Sequence, residues 1–329
     1  MSILHIHRNQ ILFLEQSKIS VLDDRVVYSK AEKGMEKTWN IPNFNLSCLI
    51  LGTGCSITTA ATRLLSTSGT YVMHSGSGGT PVFMTSLTDY RPTYYFQKWM
   101  SFWTNPDARL HVAKFLAEKR CLNLETNQSP QNIILEKSDL QEAIKKFRNG
   151  ISNSNNINEL TGHEGIFAKT IYRNVAQACY VNWDHRDNSK NRDKKNNINK
   201  LLDDSNYIIY GISGLAVFLM GLVPQMPVTH GMTRAGGLIF DIADVFKDSI
   251  SLPCAFSSCS EGYIPGSEYR KKMVDWCDKN DLLRKCVALI KEAVEVGFNF
   301  CKNNNIQIVP DTFFTNNDDF YPIENKNVL

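Results

Sequence analysis

Three aspartates in the run GLIFDIADVFKDSI, namely Asp241, Asp244 and Asp248, stand at i, i+3 and i+7. That spacing places all three on one face of a helix, while Ile242, Val245, Phe246 and Ile250 fall largely elsewhere around it and can pack. The pattern has two readings. One is an amphipathic helix with a solvated acidic face. The other is a divalent-metal site that also takes His230, in the sequence THG just upstream. Hard cations such as Mg2+ and Mn2+ take carboxylate oxygens, and Mn2+ accepts an imidazole. Such a site would combine a Glu from a distant helix, a His from a loop and one or two Asp from a helix face.

A distant carboxylate is present in HEGIFAKTIYRNVAQ, where Glu164 starts a helix whose Ala168, Ile171 and Val175 can pack. A Glu there is ordinarily explained by the helix dipole. Its surroundings give it a second meaning. Lys169 and Arg173 follow at later turns, and then comes NWDHRDNSKNRDKKNNINK, residues 182–200, almost free of apolar side chains. From His163 to Lys200 eight Lys/Arg oppose four Asp/Glu, a local excess of four positive charges. A carboxylate beside a basic, Asn-rich surface fits phosphate-backbone binding near a metal. The loop itself equally reads as a solvated, mobile segment. Two glycine-rich turns are set aside. LGTGCSIT (51–58) has Ile57 where a dinucleotide loop needs its third glycine and lacks the alternating βα units downstream, and GSGGTP (76–81) is followed by no Gly-Lys-Ser/Thr.

The elements that must carry these residues divide the chain in two. Short apolar runs at 11–15, 18–22 and 25–29 have hairpin spacing, and further strands are expected near 37–41, 48–51, 70–74 and 82–85. One helix interrupts them over 57–66, with Ser56 as its expected N-cap and Gly69 closing it. From Asp89 the pattern is helical: 91–103, a second helix after Asn105-Pro106 to about 125, then 138–148, 158–180, 201–222, 238–256 and 268–301. Segregated strands and helices predict an α+β fold. With 43% hydrophobic residues in 329, the chain can bury sizeable cores, and a net charge of +3 leaves partner choice to local charge. Nine cysteines without a C-x-x-C pair read as reduced thiols of a cytoplasmic protein. MSILHIHRNQ has no long apolar core and is read as no signal peptide. The apolar stretch 207–224 carries enough Gly and Ser to be a buried helix, so no membrane role is expected.

Taken together, WNIP (39–42), LGTGCSIT running into AATRLL (51–65), GSGGTPVF (76–83), DYRPTYYFQKW (89–99) and HGMTRAGGLIFDIADVFKDSI (230–250) resemble the CRISPR adaptation integrase, the metal-dependent nuclease Cas-one, in its type I-F (Ypest) branch. The resemblance implies an N-terminal β-sandwich-like dimerisation domain (1–88) and an all-helical catalytic domain (89–302); the Asn-rich tail (303–329) matches nothing in the family pattern and is expected from its composition to be poorly ordered. It implies a homodimer acting on double-stranded DNA, both prespacer and CRISPR repeat. The partner it implies is a second adaptation protein, in this branch fused to the helicase-nuclease of interference. The family's metal ligands fall on Glu164 (with Gly165, Ala168, Lys169 and Tyr172 in register), His230 and Asp244, with Asp241 a further acidic position that either ligates or orients a ligand. Met232 and Ala235 stand where relatives often carry basic residues, so DNA contact there is expected to be weaker.

The implied reaction is phosphoryl transfer: the 3′-hydroxyl of a short duplex attacks a phosphodiester at the edge of a repeat, with Mg2+ or Mn2+ as cofactor. Lys169, Arg173 and the basic loop are candidate phosphate contacts, with Arg234 near the metal, and Asp248 is left as a solvated or salt-bridged residue. Two other readings stay open: a structure-specific nuclease with no integration role, and a non-catalytic DNA-binding scaffold.

Overall fold

The computed structural model describes residues 10–32, 34–75, 82–84, 91–126, 137–187, 189, 191–231 and 236–306. Arg234, Met232, Ala235, the GSGGTP turn, the boundary near residue 88 and the tail beyond 306 lie outside them. Two four-stranded sheets open the chain. The first has the order β1 (Gln10–Leu14), β5 (Leu46–Leu51), β7 (Tyr71–His74), β8 (Val82–Met84), and the second β4 (Met35–Asn40), β3 (Arg25–Glu32), β2 (Lys18–Leu22), β6 (Ser56–Ile57).

Hairpin spacing was half of the story. β2 and β3 pair antiparallel from Leu22 opposite Arg25, and the two loop residues Asp23 and Asp24 both take positive φ, 48° and 57°. That is the primed two-residue turn whose twist suits a hairpin. β1 instead crosses to the other sheet and lies parallel to β5. β5 and β7 are also parallel, joined by α1 (Thr59–Thr67), so LGTGCSIT does open a single βα unit. The N-cap of α1 is Thr58, whose hydroxyl accepts from the Ala61 N–H at 3.3 Å, rather than Ser56, which is drawn into β6.

The first sheet is buried on both faces. Ile11, Phe13, Cys48, Ile50, Tyr71 and Met73 point into the helical core, while Leu12, Leu14, Leu49, Leu51 and Val72 point into a smaller core shared with the second sheet and α1. Strict alternation along each strand produces this division. The strand and helix regions therefore meet through a packed sheet face.

The helical part runs α2 (Thr93–Trp103), α3 (Pro106–Thr126), α4 (Lys137–Asn153), α5 (Ile157–Ala178), α6 (Asn197–Leu219), α7 (Gly237–Ser260), α8 (Ser267–Lys279) and α9 (Leu282–Asn303). Pro106 takes the first turn of α3, and the Asn105 side chain caps it by accepting from Ala108 N–H at 2.9 Å. The single helix expected over 268–301 is two, broken where Asp281 adopts φ 53°. Asp is among the few L-residues that enter the left-handed region cheaply. Among the described residues no helix is long and apolar enough to cross a membrane. All nine cysteines are unpaired.

The loop read as mobile is pinned. Arg186 and Lys195 reach the two carboxylate oxygens of Asp203 on α6, the lysine at 2.8 Å, and Arg186 also donates to Asn199 Oδ1 at 3.0 Å. Lys195 is 8% exposed. The composition suggested a solvated segment, but two of its cations have a buried acceptor waiting on the next helix.

Candidate metal centre

Helices α3, α5 and α7 converge on the acidic residues. Asp241, Asp244 and Asp248 share a face of α7 as their spacing required, but that face is not solvated: they are 4%, 7% and 1% exposed. Each meets a different fate.

Asp241 organises the loop before it. Its Oδ2 accepts from the backbone N–H of Val228 at 2.6 Å and Thr229 at 3.2 Å, and its Oδ1 from His230 N–H at 3.1 Å. Oδ1 also stands 2.7 Å from His230 Nδ1. With both oxygens engaged, Asp241 fixes the His230 ring and leaves Nε2 facing the cluster, the arrangement by which a carboxylate orients a ligating imidazole. The loop is clamped from its other side by α2, whose Trp99 and Trp103 indole N–H groups donate to Met226 O at 3.1 Å and Pro227 O at 2.6 Å. The glycine pair completes the junction. Gly236 caps α7 at φ 74°, and a Cβ on Gly237 would come within 2.8 Å of Pro227 Cβ and 3.1 Å of His230 O. Only a bare backbone lets the His loop lie so close to the helix start.

His230 Nε2 lies 3.4 Å from Asp244 Oδ2. Burial lowers the histidine pKa, and the Asp241 and Asp244 carboxylates raise it by more. Burial opposes ionisation of Asp244, but Lys247, Arg120 and His230 outweigh it and hold that carboxyl at about 2. Lys247 donates to Asp244 Oδ1 at 2.5 Å.

Glu164 comes from α5. One ligand atom from each of Glu164, His230 and Asp244 lies within 4.8 Å of the others. These residues line a cavity of about 30 Å³, close to one water's share of liquid volume. Around a small divalent ion neighbouring donors stand about 3 Å apart and opposite ones about 4.2 Å, so the three side chains are near enough to converge on one ion by a small inward turn. The charge also fits. Among the described residues Glu164, Asp241, Asp244 and Asp248 meet the cations Arg120 and Lys247 and the His230 imidazole, which leaves net negative charge where a divalent ion would be held. The donor set, two carboxylates and an imidazole, suits Mn2+ and tolerates Mg2+.

The other expected residues separate from this cluster. Lys169 and Arg173 are exposed on α5, but five and nine residues on from Glu164 they point about 140° and 180° away around the helix. They are thus not beside the carboxylate. Asp248 is salt-bridged and buried, not solvated: Arg120 from α3 donates to its Oδ2 through Nε and Nη2 at 2.6 Å each, and through Nη1 to Glu164 Oε1, also at 2.6 Å. Sequence reasoning missed Arg120 and Lys247. A signal for the first existed, because Ala108, Val112, Leu116, Arg120 and Leu124 form an i, i+4 stripe that is buried throughout. An arginine in such a stripe needs a buried acceptor.

Comparison with known proteins finds relatives along most of the chain. The family model described as CRISPR associated protein Cas1 matches residues 11–292. Two proteins named CRISPR-associated endonuclease Cas1 are each 30% identical: that of Pectobacterium atrosepticum over 88% of this chain and 94% of its own, and that of Pseudomonas aeruginosa over 89% and 95%. The solved structure of a TtCas1–DNA complex shares the fold with a TM-score of 0.64 at 19% identity, covering 87% of this chain and 91% of that one. Matched along most of its length by the family model and by relatives at 30% identity, the chain belongs to the Cas1 family of CRISPR-associated proteins.

Proposed function

We propose that this chain is the metal-dependent integrase and endonuclease of CRISPR adaptation, of the type I-F branch, inserting new spacers by phosphoryl transfer. The observation that carries the reading is the gathering of Glu164, His230 and Asp244 within 4.8 Å around a small cavity. In the reaction the 3′-oxygen of the incoming duplex forms a bond to a repeat phosphorus, the bond to the repeat strand's own 3′-oxygen breaks, and that oxygen takes up a proton as the attacking hydroxyl loses one. Glu164, His230 and Asp244 would hold Mg2+ or Mn2+, which supplies neutralisation of the non-bridging oxygens and lowers the pKa of the attacking hydroxyl.

The chain's own residues set the stage. Asp241 orients His230 and the backbone before it. Lys247 holds one oxygen of Asp244 and leaves Oδ2 toward His230. Water in place of the 3′-hydroxyl would give endonuclease activity at the same centre. Lys169 and Arg173, on the outer face of α5, are available for phosphate contacts remote from the reacting bond, and Arg234 remains the candidate nearest His230 in sequence. Double-stranded DNA is the substrate, and the solved TtCas1–DNA complex supports DNA binding by this fold. The working unit is a homodimer joined to the second adaptation protein, in this branch fused to the helicase-nuclease of interference.

The test is strand transfer into a plasmid bearing a leader and repeat, with purified protein and its adaptation partner. Wild type should join the prespacer only with Mg2+ or Mn2+ present, and Asp244→Ala should fail while still binding DNA. Strand transfer by Asp244→Ala at the wild-type rate would overturn the site. Cleavage without joining would leave a nuclease with no integration role, and metal-independent binding without either activity would leave a scaffold.

A further inference from the structure

Resting on the metal-centre reading above, we infer that Arg120 and Asp248 form a two-residue tether that positions Glu164, so that the metal centre is assembled from α7 in two directions. One direction is direct: Asp244 projects from α7, and Asp241 steers His230. The other passes through α3. Asp248, one turn beyond Asp244, accepts Nε and Nη2 of Arg120, and the same guanidinium sends Nη1 to Glu164 Oε1.

The geometry is that of a fixed fork. A guanidinium is planar and presents its donors in set directions, so once Asp248 holds two of them the third can point only one way. That way is toward Glu164. The plane is further fixed by the Phe167 ring, whose centroid is 5.5 Å from Arg120 Cζ. Engaging Oε1 leaves Oε2 as the glutamate oxygen free to turn to the cavity. Glu164 needs such a tether. It sits on a different helix from the other two ligands, its side chain is 21% exposed, and no other side chain among the described residues is seen to donate to it.

Stability alone does not account for the pair. Asp248 is 1% exposed, and its Oδ1 is buried without a hydrogen-bond partner among the described residues. A buried ion pair often adds little over apolar side chains of like volume, and a half-satisfied carboxylate adds less. What the arrangement does provide is a carboxylate held at a set place and a guanidinium aimed by it.

The test is Mn2+ binding by the DNA-free full chain, read from the paramagnetic resonance signal of free Mn2+, alongside strand-transfer rate against Mn2+ concentration. Arg120→Lys keeps the charge and loses the fork. The double variant Arg120→Met with Asp248→Leu removes one charge of each sign, so the net charge around the cavity is unchanged and neither member of the Arg120–Asp248 pair is left buried alone. Both should stay folded by circular dichroism and bind Mn2+ about 10- to 100-fold more weakly, as variants of outer partners of metal ligands do. Their strand-transfer titrations should shift to higher Mn2+ by a similar factor, with activity partly restored at saturation. Wild-type Mn2+ affinity in either folded variant overturns the tether; should the double variant not fold, Arg120→Lys decides. Glu164→Ala in the same titration separates the two levels. If it binds Mn2+ as wild type does, the metal-centre reading fails and the tether with it. If it binds weakly while the Arg120 variants bind normally, only the tether fails.

Discussion

Two buried ionic clusters in this molecule use the same residue types to opposite ends. At Asp203 one carboxylate meets two cations, Arg186 on Oδ1 and Lys195 on Oδ2, so every charged oxygen is matched and positive charge is in excess. Around Asp244, among the described residues, four carboxylates meet Arg120, Lys247 and the His230 imidazole, and oxygens of Asp244 and Glu164 face a small cavity with a histidine nitrogen. The first cluster is complete as folded and pins a loop to a helix. The second keeps net negative charge among the described residues, at the place where a cation would be held. Burial of charge is common to both, so burial alone does not mark a functional site; unmatched negative charge facing a cavity does.

Alanine at the key aspartate of each cluster should break the symmetry in opposite senses. The largest effect is expected for Asp244→Ala: metal-dependent strand transfer falls by at least about 10³-fold, about 4 kcal/mol of transition-state stabilisation, while the urea midpoint falls less than for Asp203→Ala, because Lys247 loses its acceptor but one of several crowded carboxylates is also removed. Asp203→Ala should do the reverse. It leaves Lys195 and Arg186 without their acceptor and costs about 3 kcal/mol in folding stability, seen as a lower urea midpoint, with the residual folded protein still active.

Asp241→Asn sharpens the comparison within the metal cluster. The amide keeps the shape but cannot accept at all the positions where Asp241 receives three backbone N–H groups and the imidazole. Activity should drop about 10- to 100-fold, with partial recovery at high Mn2+, which a titration of rate against Mn2+ reads directly.

A third carboxylate supplies the smallest effect. Asp278 on α8 accepts from Ile11 N–H at 3.1 Å and pairs with no cation among the described residues; burial pushes its carboxyl up to about 6, against the backbone hydrogen bond and with help from Asp281 and Asp275. A raised folded-state pKa gives stability that is full below the unfolded value and lost as pH rises through the folded one. Wild type should therefore lose stability relative to Asp278→Asn between about pH 4 and pH 7, modestly, because the group is half exposed. Urea midpoints of the two proteins at several pH values check the slope; parallel lines would contradict it.

Much of this was legible in the residues. The shared face of Asp241, Asp244 and Asp248, the Asn105-Pro106 helix start and the alternating strands follow from spacing and local chemistry. What those residues do there was less so. Spacing places three aspartates on one face but cannot say that the face is buried, because the neighbours that cover it, α3 and α5, are remote in sequence. Glu164, sixty-six residues before His230, stood out as a carboxylate ahead of a basic stretch, but its place as a ligand with His230 and Asp244 was reached through family resemblance. The basic loop was misread because composition does not reveal acceptors elsewhere. Two adjacent aspartates in the apolar helix LLDDSNYIIYG were the available hint that some cations would be drawn inward. Lys169 and Arg173 follow Glu164 by five and nine residues and so lie on other faces of its helix, where sequence neighbourhood alone does not bring them beside the carboxylate.

The central claim is that Glu164, His230 and Asp244 form a single metal centre. Crystals of the chain soaked in Mn2+ and measured near the manganese absorption edge test it most directly. The account predicts one strong anomalous peak within about 2.0–2.4 Å of a Glu164 oxygen, His230 Nε2 and an Asp244 oxygen, absent from crystals of Asp244→Ala. A peak elsewhere, or none at this place in crystals whose protein retains Mn2+-dependent strand transfer, would contradict it.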